Sequence, residues 1–203
     1  MDDACTGLSS SFPILTFDET TLSPSLGYVF DRRYVEPFES VVSILWKFAR
    51  MNGLPGHVLV RHLSSAPMDP YDGIGVSTAD VDVRLVARML GVPMKTVRTG
   101  LSSPCSRREL DTRLRYCSRC MSLGYHSMAH QFLGAMQCPA HGDWLQEHCR
   151  SCGQTSAYRL DARLLDAPFR CAACRRPYGR SQAPSTRPLP GHMRTSITRA
   201  FLT

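Results

Sequence analysis

The sequence predicts a mainly α N-terminal helix-turn-helix domain followed by small α+β tandem modules of the zinc-ribbon or zinc-finger kind. Three observations carry that expectation. Apolar residues recur at helical spacing up to about residue 113, and four two-residue Cys/His knuckles follow between residues 117 and 174. Charge is also divided: residues 1–40 hold seven acids and two arginines, whereas ten acids and 22 bases lie beyond them. At 203 residues the chain is long enough for a modest core or two small ones.

Residues 1–34 are rich in Ser, Thr, Asp and Pro, and their composition predicts an extended or disordered arm. A helical domain is expected over residues 35–113. Its first helix lies in EPFESVVSILWKFARMNGL, with Ser40 as cap, Val41, Ile44, Leu45 and Phe48 on one face, and Gly53 as the left-handed stop. A second short helix begins near Pro55, and residues 66–77 read as loop. In VDVRLVARMLGVPMKTVRTGLSS, the offsets of Ala87, Gly91 and Val97, with Val86, Leu90 and Val92 as apolar contacts, match a helix-turn-helix. Pro93 is placed to pre-set the first turn of the second helix. That helix would offer Lys95, Thr96, Arg98 and Thr99 to nucleic acid, and Gly100, Ser102, Ser103 and Pro104 cut it to about two turns, too short for many base contacts. The same pair could equally serve as a folding unit or a partner surface.

The knuckles are Cys117/Cys120, Cys138/His141, Cys149/Cys152 and Cys171/Cys174. An x2 spacing lets a tight turn point two donors at one ion, and a Zn2+ takes four in a tetrahedron. Neighbouring knuckles give C-x2-C-x17-C-x2-H and C-x2-C-x18-C-x2-C, so two structural Zn2+ ions are expected in modules at residues 114–148 and 149–179. His126, His130, His148 and Cys105 stand near enough in sequence to compete as ligands. Four protein donors leave no open position, which argues for scaffolding rather than catalysis. Tyr116, Tyr125, Phe132, Trp144, Phe169 and Tyr178 are expected to pack around the ions. Seven thiolates and two Zn2+ lower the formal charge of +7 to about +4. Arg115, Arg119, Arg150, Arg170 and Arg175 flank the knuckles, where they could neutralise zinc-thiolate centres or grip phosphate. Residues 180–203 carry no acid and read as a flexible basic tail, so Arg175, Arg176 and Arg180 join the candidate nucleic-acid contacts.

An acidic start without a following apolar run argues against a secretory signal, and no apolar stretch approaches the roughly 20 residues of a membrane span, so a cytoplasmic location without a membrane partner is expected.

Three blocks resemble the TniQ family, the target-selection components of bacterial transposons that use an AAA+ ATPase. Pro37, Glu39, Ser40, Ser43, Ala49, Asn52, Gly53 and Leu54 resemble the family's opening helix, and LRYCSRCMSLGYH, QF and CPAHG resemble its central signature. CRSCG and CAAC resemble the knuckles that follow. The likeness spans about residues 34–178, departing where His130 stands in place of a usual aromatic and where the long C-terminal half of larger members is missing. It implies the two zinc sites in sequential pairing, no catalytic residue, and an adaptor that links a DNA or RNA-guided targeting complex to an AAA+ transposition ATPase near the nucleoid. Homo-oligomerisation stays open. Two other readings compete. A RING-like ubiquitin-ligase module shares the ligand order but interlaces its pairs, and the seven residues between His141 and Cys149 favour sequential pairing. A transcription regulator would read an operator with the helix-turn-helix.

Overall fold

The structure, a computed structural model, describes residues 27–101, 109–180 and 188–202. It is mainly helical: α1 (Val41–Asn52), α2 (Gly56–Arg61), α3 (Val83–Leu90), α4 (Met94–Thr99), α5 (Ser118–Ser122), α6 (Ala162–Leu165) and α7 (Gly191–Leu202). Between helices, extended segments meet as isolated antiparallel bridges, such as Tyr116 with Gln146 and Arg113 with Ala157. No helix among the described residues is long and apolar enough to cross a membrane.

α1 forms where its caps and periodicity place it. Ser40 Oγ accepts the Ser43 amide at 3.2 Å, and Gly53 closes the helix at φ 61°. The helix is buried nearly all round, since Val42, Trp46 and Ala49 are covered as well as the predicted face. A helix apolar on every side must lie at the centre of a core. The Trp46 indole donates to the Leu164 carbonyl at 2.7 Å, fastening α1 to α6 from the far end of the chain. One apolar cluster therefore contains Leu45, Trp46 and Leu59 together with Leu160, Leu165 and Phe169, so the second Cys-rich segment shares its core with the helices.

α3 and α4 pack against each other across the Gly91–Val92–Pro93 connection, with Gly91 at φ 64° and the Val92 amide bonded to the Ala87 carbonyl at 3.1 Å. Val86, Leu90 and Val97 are buried between them, as the apolar offsets require. Pro93 takes the cap position of α4, one residue earlier than the expected first turn. α4 stops at Gly100, where a Cβ would come within 2.8 Å of the Glu39 carbonyl and the Val41 amide. The glycine is thus required by backbone crossing backbone. Ser102, Ser103, Pro104 and Cys105 lie outside the described residues.

Two expectations are corrected. The arm ends earlier than residue 34: Phe30 and Asp31 are buried, Phe30 packs edge-on against Phe48, and the Val29 amide bonds to Asn52 Oδ1 at 2.7 Å. Residues 1–26 lie outside the described residues. The tail is not free either, because residues 188–202 include α7, whose Met193 and Ile197 are buried with Leu189 against Tyr125 and the first Cys cluster. Arg194 Nε donates to Glu36 Oε2 at 2.7 Å, and Phe38 stacks on Phe201 at 4.0 Å. Composition suggested solvated chain in both places, but a few apolar side chains at the right spacing were enough to order them.

Candidate metal centres

The structure brings together two donor sets: Cys117, Cys120, Cys138 and His141, and Cys149, Cys152, Cys171 and Cys174. Within each set the donor atoms lie within 4.8 Å of one another. In the first, Cys120 and Cys138 sulfurs are 3.6 Å apart, and His141 Nδ1 lies 3.4, 3.3 and 3.6 Å from the sulfurs of Cys117, Cys120 and Cys138. In the second, Cys149 to Cys174 is 3.6 Å and Cys152 to Cys171 is 3.7 Å. A tetrahedral zinc separates two sulfurs by about 3.8 Å, and sulfur from nitrogen by about 3.6 Å. Both sets fit such an ion, so each could hold one metal in a closed shell. Pairing runs sequentially along the chain, which rules out the interlaced order of a RING-like module.

Three of the four knuckles are built alike. The first ligand's amide bonds to the carbonyl five residues on: Cys138 to Asp143 at 2.8 Å, Cys149 to Gln154 at 2.8 Å, Cys171 to Arg176 at 2.9 Å. Its carbonyl accepts the amide four residues on, from Gly142, Gly153 and Arg175. That fourth residue must turn left-handed, with φ of 68°, 72° and 61°. Gly142 and Gly153 have empty space where a Cβ would stand, so their glycines serve φ alone. Cys117 departs from this design: it caps α5, and its carbonyl accepts the Met121 amide at 3.0 Å as a helix begins.

Surroundings differ too. Cys117, Cys120 and Cys138 are buried and His141 partly so, whereas Cys152 is exposed and Cys174 half-buried. Without metal, hydrogen bonds from Cys120 and Cys138 lower the Cys117 thiol, while its partner Cys120 is raised by bonds with Cys117 and Cys138. Burial pushes Cys149 up, but amides of Ser151 and Cys152 and the facing sulfurs outweigh it and bring the thiol to about 7. A cation shared by each set would replace this division of protons.

Two of the competing histidines have other work. His126 Nε2 lies 2.7 Å from the Arg115 carbonyl, which can only accept, so Nε2 carries the proton and Nδ1 accepts from Ser40 Oγ at 2.7 Å. His126 thereby joins the cap of α1 to the strand-like segment ahead of Cys117. Burial holds it down at about 4. His130 is buried beside it, and its Nδ1 accepts the Ser127 amide at 3.4 Å, closing a capping box. His148 is exposed and outside both donor sets.

Other nominated residues fall into distinct places. Lys95 and Arg98 are exposed on α4, and Thr96 and Thr99 are half-buried there. Arg175, Arg176 and Arg180 are exposed around the last knuckle, where Arg175 donates to the Asp166 carbonyl at 2.8 Å and the Arg180 amide bonds to Ser122 Oγ at 2.7 Å. Arg115 is buried and spans the Phe132 carbonyl at 2.8 Å and Glu147 at 3.4 Å, so it braces a loop rather than a thiolate centre. Tyr116, Tyr125, Phe169 and Tyr178 are buried as expected, Phe132 half so, but Trp144 is 61% exposed. It stands on the short paired segment opposite Gln137, where one face meets solvent.

Sequence reasoning missed a buried ion pair between an acid and a lysine. Glu39 is fully buried, takes Lys47 Nζ at 2.7 Å and the Ser43 hydroxyl at 2.5 Å, and is raised by burial against those partners. Its spacing to Ser43 and Lys47, four and eight residues along one face, was the available signal. Against known proteins, the chain matches no family model and no curated protein.

Proposed function

We propose that this chain is a non-enzymatic adaptor of the TniQ kind, in which two structural Zn2+ ions hold a docking surface and the α3–α4 pair acts as a helix-turn-helix touching nucleic acid. The observation that supports this reading most is closure of both donor sets, because four protein ligands leave a tetrahedral ion no place for water or substrate. The ions would pin the knuckle turns beside the apolar core, and a rigid non-reactive surface suits a linker between other molecules. Its partners in this reading are an AAA+ transposition ATPase and a DNA or RNA-guided targeting complex.

α4 contributes Lys95 and Arg98 as exposed cations beside Thr96, and on α3 Arg84 and Arg88 are exposed one turn apart. Six residues of helix reach few bases, so phosphate contact dominates and binding falls steeply with salt. Fluorescence anisotropy with a duplex should show weak binding that strengthens when an AAA+ transposition ATPase is added as partner. Lys95→Ala with Arg98→Ala should weaken it equally on unrelated sequences and reduce the salt slope by about 2. A sequence-specific footprint at moderate salt without the ATPase would instead establish the transcription-regulator reading.

A further inference from the structure

A groove beside α4 is used by neither metal set. It encloses about 580 Å3 between the chain entering α1, the turn into α4, and α7. Val35, Pro37 and Phe38 line one side, and Val92 and Pro93 the other. Arg32 comes from the first wall and Lys95 from α4. The acid in the lining, Glu36, is already held: Arg194 donates to one oxygen at 2.7 Å and the Leu189 amide to the other at 2.9 Å. Among the described residues neither the Arg32 guanidinium nor the Lys95 ammonium makes a salt bridge. Arg32 does feel Asp31, but that carboxylate is clasped by Arg33.

An apolar trough with cations at its edge fits a chain whose apolar side chains are followed by carboxylates. A duplex backbone would meet the cations and leave the trough uncovered. One stretch of this sequence has the required pattern: FPILTFDE, residues 12–19, within a stretch of 26 residues that holds four acids and no base. It can reach. From Glu19 to Gly27 the chain spans up to about 27 Å, while Gly27 stands no more than about 17 Å from Arg32. Such a tether keeps the segment near the groove at an effective concentration on the order of millimolar.

We propose that residues 12–19 of this same chain dock in the groove, with Phe12, Ile14, Leu15 and Phe17 supplying the apolar contacts and Asp18 and Glu19 meeting Arg32 and Lys95. A partner for this face of α4 must then displace the chain's own acidic segment. This inference does not depend on the nucleic-acid reading, and its test involves no DNA.

Lys95 makes the test clean, because the other lysine in the sequence, Lys47, is 16% exposed and bound to Glu39. Full-length, metal-loaded protein is treated with a zero-length carbodiimide, which joins an amine to a carboxylate in contact with it, and the products are mapped by mass spectrometry. Mixing light and heavy-isotope chains separates bonds within a chain from bonds between chains. The expected product joins Lys95 to Asp18 or Glu19 within one chain. Phe12→Ser with Phe17→Ser should cut its yield about tenfold with metal content unchanged. Absence of this product, its occurrence only between light and heavy chains, or an undiminished yield in the double variant would each overturn the proposal.

Discussion

The two donor sets solve one problem in opposite ways. The first, three thiolates and an imidazole, is sealed by α5, Tyr125 and the apolar face of α7. The second, four thiolates, leaves Cys152 open to solvent among exposed Arg150, Arg175 and Arg176. With a divalent ion the first would carry one net negative charge and the second two. Because the cost of burying an ion rises with its charge, the less charged set can be placed in the apolar interior and the more charged one needs water and arginines. What the histidine changes is therefore the permissible depth of the site.

The comparison breaks most sharply by removing one ligand from each set. Cys120→Ser should lose its metal and with it an apparent binding energy on the order of 10 kcal/mol, unfolding the first module and releasing α7. Cys152→Ser should lose one metal per chain while the helical signal persists, because α6 and Phe169 stay anchored to Trp46. Elemental analysis with circular dichroism measures both; equal collapse of the two variants would contradict the difference in cover.

Chelation sharpens it kinetically. Metal release should be biphasic, the exposed set emptying first, with Cys152 the first of the seven ligand thiols alkylated in a timed labelling experiment.

The next effect tests the lid. Ile197 is 1% exposed on α7, so Ile197→Ala should cost about 2–4 kcal/mol and speed metal release from the first set alone.

His126 predicts a pH effect confined to the same side of the molecule. Its folded value of about 4 lies below the usual histidine value, so the unfolded chain takes up its proton first. Its contribution is complete above about pH 6.5 and is lost as pH falls toward 4, by about 3 kcal/mol. His130, Arg115 and Tyr158 face it, and none offers a compensating negative charge there. Melting curves of the protein and of His126→Asn between pH 7.5 and 5 should converge as pH falls.

The smallest effect is Arg175→Gly. It relieves a left-handed arginine but adds unfolded-chain entropy and removes the bond to Asp166, so stability should move by less than about 1 kcal/mol in thermal melts.

The ligands were legible in the sequence because a two-residue knuckle is a local object. Spacing names the donors, and glycine four residues after Cys138 and Cys149 marks the turn. α1 was legible for the same reason, through Ser40, Gly53 and a repeating apolar face. Arg175 hid its knuckle's turn behind a residue that seldom adopts that φ. Trp144 misled because an aromatic's burial depends on which face of a paired segment is covered.

By itself, the order of residues determined which side chains could share an ion and where α1 begins and stops, since each depends on neighbours within a few turns of chain. The tertiary structure alone decided that α6 lies under Trp46, that α7 seals the first donor set, and that His126 holds a helix-capping serine 86 residues away instead of binding metal. Those outcomes follow from competition among distant surfaces for the same buried space, and no local pattern encodes its result.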